Sequence, residues 1–253
     1  MTNLAPKAAA ESKPYPKMIA SLTLLGVILT LGIPTALLLV PFTALTGNPI
    51  PLYRASIWIV RTAYALAGIR AVSEGQERVP AKTACIFMSN HLSNLDPPVL
   101  LPQIPGRTAA FFKKSLLKIP VLGYAMRLAG FVPVSRDGSV QGAQESVAAA
   151  RKVLESGVHI TTFVEGTRSK DGRMLPFKKG PFYLAMQTGA PCIPVSLWGT
   201  EGMMAKGSMR VIPGTAHIVF HEPVYPANFA TREELMEAVR AAVASGLPEW
   251  MRG

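Results

Sequence analysis

The sequence predicts an α/β domain with a mostly parallel central sheet flanked by helices, preceded by an N-terminal membrane-embedded helical hairpin. Three observations carry this. From residue 80 onward, short apolar runs alternate with helix-patterned segments, as in chains that cross over through helices into a parallel sheet. Two of the apolar runs end abruptly in polar turns. Residues 18–53 hold no charged side chain, more uninterrupted grease than a domain of this size usually buries.

At 253 residues the chain suits one ordinary domain and an appendage. It is 49% hydrophobic and 16% charged, with net charge +11 and pI near 9.9. Such a surplus points to an anionic partner: nucleic acid, acidic lipid or a phosphorylated substrate. The apolar run decides for anionic membrane lipids, because a surface that meets acidic head groups needs both grease and positive charge. Nucleic acid is excluded as a partner by the same run and by the lack of a basic aromatic platform. Cys85 and Cys192 fall in apolar runs without CxxC spacing and read as reduced core residues facing the cytosol. His159, His217 and His221 are scattered, so no metal site is expected.

Residues 1–17 are polar, with Pro, Ala, Lys7, Lys13 and Lys17, and are expected to be a disordered tail. Residues 18–70 read as a membrane-associated helix pair. Met18 to Val40 alone is long enough to cross a bilayer. The stretch is too long for a cleaved signal peptide and lacks an Ala-x-Ala site. Pro34, Pro41 and then Gly47-Asn48-Pro49-Ile50-Pro51 break the run into a helix, a turn and a second helix from Leu52 to Gly68. Ile57, Val60, Tyr64 and Ala67 share one face of that helix, Arg54 and Arg61 lie on another, and Tyr53 and Trp58 suit the head-group belt. Lysines precede the run and Arg54, Arg61 and Arg70 follow it, so the positive-inside rule favours no single crossing. A hairpin dipping into one leaflet accommodates this, with the rest of the chain on the cytoplasmic side of the inner membrane. A transmembrane helix and a buried core pair are the alternatives.

Residues 71–253 form the α/β domain. Its expected strands are Ala84 to Met88, Ala109 to Phe112, Phe131 to Val134, Ile160 to Val164, Cys192 to Leu197 and Ala216 to Phe220. Its expected helices are Pro97 to Leu101, Val121 to Leu128, Ser139 to Glu155, Phe182 to Gln187 and Arg232 to Ala244. No internal repeat or second domain boundary is visible.

Candidate chemistry sits where strands end. The run ending at Met88 leads into Ser89-Asn90-His91-Leu92-Ser93-Asn94-Leu95-Asp96-Pro97-Pro98. Asp96-Pro97 reads as a helix start, an N-cap acid before a proline whose missing N–H costs nothing there. His91 and Asp96 then share a strand-to-helix turn, where rigid flanks present side chains to a cleft. An aspartate that accepts from one imidazole nitrogen leaves the other to take a proton, which makes a general base with its orienter. Ser93, the nearest hydroxyl, serves equally as a turn cap, so the base is expected to activate a hydroxyl of the substrate. A second strand ends in Glu165-Gly166-Thr167-Arg168-Ser169. Gly166 permits a tight turn, Thr167 offers a hydroxyl, and Arg168 offers a fork of donors suited to phosphate. Glu165 reads as fixing that guanidinium or touching a substrate hydroxyl, and Lys178 and Lys179 add cations. Between the two lies Lys113 to Gly123, running on to Gly130 and Arg136, basic with apolar residues interleaved. It suits a phosphate-bearing lipid, or equally a solvated face held against anionic lipid. Cys192 to Gly199 is a fourth stretch, a strand ending in glycine.

In this order the four stretches resemble the glycerolipid acyltransferase family, most closely its bacterial-type 1-acylglycerol-3-phosphate (lysophosphatidic acid) branch. Asn90, His91 and Asp96 match the NHxxxxD motif, and Phe163 to Ser169 match FxEGTRS with Val164 where proline is frequent. Lys113, Leu116, Pro120, Gly123, Gly130 and Arg136 match the second block, with Ser115 where many members carry Glu; Pro194 matches the fourth. The resemblance covers about residues 80 to 200.

It implies transfer of a fatty acyl group from acyl-CoA or acyl carrier protein (acyl-ACP) to the sn-2 hydroxyl of 1-acylglycerol 3-phosphate, giving phosphatidic acid. No cofactor beyond the acyl co-substrate is implied. His91 takes the hydroxyl proton, Asp96 holds the imidazole, and Arg168 with Arg136 and Lys113 binds the acceptor phosphate. Asn90, Glu165, Gly166 and Thr167 fall in the substrate-binding motifs. Backbone amides of residues 194–199 or of the Gly166 turn are the two sources of an oxyanion hole. The rivals are the same chemistry on a lysophospholipid, a lyso-ornithine lipid or glycerol 3-phosphate, and a non-catalytic membrane-binding protein.

Overall fold

The uncharged N-terminal run forms one long helix. The structure, a computed structural model, describes residues 18–119, 122–134, 140–204, 208 and 210–253, with Lys113, Leu122, Val140 and Ala143 described by their backbone alone. The tail 1–17 therefore lies outside the described residues. Helix α1 (Ile19–Val27) passes through a π-helical stretch, Ile28–Gly32, into α2 (Ile33–Thr46). Pro34 and Pro41 sit inside this run without ending it, against the expectation that they break it. Pro34 has no N–H and its ring crowds the preceding turn; the π stretch just before it is the local adjustment that absorbs both. The break comes at Gly47, which is left-handed at φ 68° and bonds its N–H to Thr43 O. Asn48 Oδ1 then accepts from Ile50 N and starts α3 (Ile50–Leu66).

The helix Ile19–Thr46 is long and apolar enough to cross a membrane, and only 11% of its most apolar window is buried. Leu22, Leu29, Leu37, Leu38 and Leu45 are all exposed. Helix α3 packs back along α1 and α2. It is also fastened to the α/β domain: Arg61 donates to Pro102 O, Tyr53 OH accepts from Thr108 N at 3.2 Å, and the Arg107 guanidinium covers the Tyr53 ring.

Strand β1 (Ile69–Glu74) follows directly. It was not expected, and its alternating exposure is that of an edge strand. The remaining elements in order are β2 (Ile86–Ser89), α4 (Asp96–Leu100), β3 (Thr108–Lys113), α5 (Leu122–Leu128), β4 (Val132–Val134), α6 (Val140–Glu155), β5 (His159–Phe163), α7 (Lys179–Thr188), β6 (Cys192–Trp198), α8 (Thr200–Met203), β7 (Gly214–Phe220) and α9 (Arg232–Gly246). The sheet runs β1-β7-β6-β2-β5-β3-β4, parallel throughout except for the antiparallel β6–β7 pair. Strand β2 is buried along its whole length, and β5 and β6 to their last residue, as befits strands covered on both faces. The expected mostly parallel sheet with flanking helices is the one observed.

The core explains the side chains without chemistry. Cys85 and Cys192 are free and buried, and burial pushes their thiols up to about 11 and about 12, so neither forms a reactive thiolate. His159 is a core histidine whose Nδ1 accepts from Cys85 N at 3.0 Å; burial pushes its imidazole below the usual range. Strands β6, β2 and β5 are adjacent and parallel, so their carboxyl ends open on one side of the sheet, where α/β folds place their ligands.

Candidate active site

Each of those three strands ends in a loop that contributes to one cluster. Asp96 was expected to cap α4. It is instead the first helical residue, and its carboxylate turns back into the loop before it. Oδ2 accepts from Leu92 N at 2.6 Å, Ser93 N at 2.8 Å and His91 Nδ1 at 2.7 Å, while Oδ1 accepts from Thr200 Oγ1. A fully buried carboxylate with four donors is held in one orientation. That acceptor assigns the His91 proton to Nδ1 and leaves Nε2 as the proton-accepting nitrogen. The imidazole stacks on Phe163 with ring centroids 4.2 Å apart, and its side chain is 18% exposed.

The Glu165–Ser169 turn is tied to the His91 loop by backbone bonds. Val164 N donates to Ser89 O at 3.0 Å and Ser169 N to His91 O at 2.9 Å. Gly166 has φ 68°, which the turn reserves for glycine, and a Cβ there would press on the Lys178 stem at 3.0 Å. Thr167 is exposed and Arg168 half-buried on the same turn. Glu165 is not at the surface. It is 1% exposed, its Oε1 accepts from His91 N at 3.2 Å, and its Oε2 is buried without a hydrogen-bond partner. Burial pushes its carboxyl up to about 7, against the pull of the His91 backbone N–H. Its observed contact is a structural one with the His91 backbone.

This has a consequence for stability. The folded value lies above the ordinary 4.5, so ionising Glu165 costs the folded state more than the unfolded one. The cost is absent below the ordinary value, grows as pH rises from there to the folded value, and is complete above it. Glu165→Gln removes it. The melting temperature of the variant relative to the parent chain should therefore climb from pH 4.5 to about pH 7 and level off above. A difference independent of pH over that range would refute the assignment.

Asn90, expected among the substrate-binding residues, faces inward. Its Nδ2 donates to Leu197 O at 2.8 Å and its Oδ1 accepts from Leu197 N at 2.9 Å. It extends the β2–β6 pairing past the end of β2 and so aims His91, without lining the cavity. Lys113 ends β3, with its backbone alone described, and Arg136 lies outside the described residues. Two amide donors considered for an oxyanion are occupied, since Leu197 N serves Asn90 and Gly199 N donates to Glu201 Oε2 at 2.8 Å. Gly166 N donates to Phe163 O.

His91 and Gly166 line a cavity of about 660 Å³. Its walls include Ala110, Phe112, Val147, Phe163 and Leu184, with Lys178, Lys179 and Arg232 also on the lining. A mostly apolar cavity that reaches a basic imidazole and carries cations can hold an aliphatic chain with an anionic group attached. These wall residues lie on several elements with no shared motif, and strand and helix patterning marks them only as core.

Compared with known proteins, residues 70–198 match the acyltransferase family model. A chloroplastic 1-acyl-sn-glycerol-3-phosphate acyltransferase of Brassica napus is 32% identical over 88% of this chain and 68% of its own length. A protein of the same description from Borreliella burgdorferi is 33% identical over 58% of each chain. The crystal structure of the 1-acyl-sn-glycerophosphate (LPA) acyltransferase PlsC from Thermotoga maritima superposes with a TM-score of 0.78 at 27% identity, covering 92% of this chain and 95% of that one.

Proposed function

Because this chain belongs to the acyltransferase family, we propose that it moves a fatty acyl group from a thioester carrier, acyl-CoA or acyl-ACP, to the sn-2 hydroxyl of lysophosphatidic acid, giving phosphatidic acid. The observation that carries the reading is the His91–Asp96 pair at 2.7 Å, opening onto an apolar cavity. His91 Nε2 removes the proton as the substrate oxygen attacks the thioester carbon, and Asp96 stabilises the imidazolium. The tetrahedral intermediate then expels the thiolate, which takes the proton back from His91. No acyl-enzyme intermediate is needed.

The acceptor is named as a phosphomonoester because the relatives are described as acting on one and because Arg168 stands on the turn bonded to the His91 loop. The exposed apolar helix and the basic chain support an anionic membrane surface as its working site, and the cytoplasmic face of the inner membrane is the location we propose.

The test is purified protein in detergent, given labelled acyl-CoA or acyl-ACP and a panel of lysophosphatidic acid, lysophospholipid, lyso-ornithine lipid and glycerol 3-phosphate. Labelled phosphatidic acid should dominate, and Arg168→Ala should raise KM for lysophosphatidic acid. Preference for an acceptor without phosphate, indifferent to Arg168→Ala, would overturn the assignment.

A further inference from the structure

The tie to Asp96 from outside its own loop comes from Thr200, the first residue of α8, which lies 104 positions away in sequence. Three donors share Oδ2, whereas Thr200 Oγ1 is the donor recorded at Oδ1. Both residues are fully buried, so no solvent replaces that bond. Backbone geometry sets the hydroxyl in place. Gly199, at φ 93°, turns β6 into α8 so tightly that a Cβ there would meet Thr215 O at 2.3 Å. A second tie runs the other way across the same gap, from Ser93 Oγ to Met204 O at 2.8 Å. The His91 loop and the α8 turn are therefore laced together on both sides of the Asp96 carboxylate.

We propose that Thr200 is a positioning residue for the acyl-transfer reaction, acting through Asp96 on His91. The proposal rests on the functional reading above. Its hydroxyl restrains the carboxylate from the side opposite the loop's own donors and disperses charge on the oxygen that does not face the imidazole. Without it, Oδ1 is a buried acceptor that has lost this donor, the carboxylate is held through Oδ2 alone, and the imidazole faces a less neutralised partner. Besides His91, Glu165 and Tyr64 are titratable side chains on which the charge of Asp96 acts, and the Thr200 hydroxyl bonds to Asp96 instead.

Thr200→Val keeps the shape and removes the donor; Thr200→Ser keeps the donor and removes the methyl group. In the full chain in detergent, Thr200→Val should lower kcat by about 10- to 100-fold, as expected for a misplaced catalytic group. KM for both substrates should stay within about two-fold, because a residue that acts only through the base leaves binding intact. The acid limb of its pH–rate profile should move to higher pH, and Thr200→Ser should restore both rate and limb. The Nδ1–H proton resonance of His91, identified by its loss in His91→Gln, should broaden in Thr200→Val without any substrate present. If the parent chain transfers no acyl group, the functional reading fails, while that resonance still reports on Thr200. A Thr200→Val variant with normal kcat and an unmoved acid limb overturns the proposal. So does a Thr200→Ser variant as impaired as Thr200→Val, which assigns Thr200 to packing. Should Thr200→Val fail to fold, Thr200→Cys, which keeps the volume with a weak donor, is read the same way.

Discussion

Replacing His91 with alanine should abolish acyl transfer, by about 10³- to 10⁴-fold in kcat, because His91 is the histidine lining the cavity among the described residues. The imidazole is partly exposed and its ring rests on Phe163, so its loss opens space at the cavity without stripping the core. The buried partner Asp96 keeps three of its four donors. Folding and membrane association should therefore survive, as read by melting temperature and by retention in the membrane fraction after a carbonate wash. A His91→Ala protein with more than about a tenth of parent activity would mean that substrate deprotonation needs no enzyme base, and the proposed mechanism would fall.

Asp96→Asn should be less damaging than the loss of the base, at about 10²- to 10³-fold in kcat, for a reason specific to this loop. An amide can invert the tautomer of its histidine if it turns its NH₂ toward the ring. Here the Leu92 and Ser93 N–H groups point at the same oxygen position as His91 Nδ1. They hold the amide oxygen there and direct the NH₂ toward Thr200, whose hydroxyl accepts by rotating. The tautomer survives, and what is lost is the charge that stabilises the imidazolium. Asp96→Ala is a different case: it strands two backbone N–H groups in the interior at about 1–3 kcal/mol each. Its melting temperature should fall where that of Asp96→Asn holds. Comparing kcat and melting temperature of the two variants checks this. Equal loss of both would show that the backbone donors do not select the amide's orientation.

How far the sequence revealed all this depended on distance along the chain. Strand β2 was legible because a strand buried on both faces reads as an apolar run, and β5 because Ile160, Thr161 and Thr162 are β-branched and Phe163 aromatic. Strand β1 was not, because Arg70, Ser73 and Glu74 on an edge strand look like the polar end of the preceding helix. Pro34 and Pro41 misled because the rule that prolines break helices holds in water, whereas an apolar helix absorbs them by a local change of winding. In the site, His91, Asp96 and Gly166 stood out through short motifs with a chemical reason for their spacing. Asn90 was seen, but its bonds to Leu197 were not, since Leu197 is 107 residues away. Thr200 was missed for the same reason. A hydroxyl residue just after a glycine that ends a strand was the signal available.

The fastening of α3 has a consequence for how the enzyme meets its lipid. Arg61, Tyr53 and Arg107 rivet the greasy anchor to the segment that feeds β3, and a wall of the cavity stands on that strand. The long apolar helix and the cavity are thus joined through side-chain contacts as well as through the chain, so a displacement of α3 is passed on to the strand that carries the cavity wall.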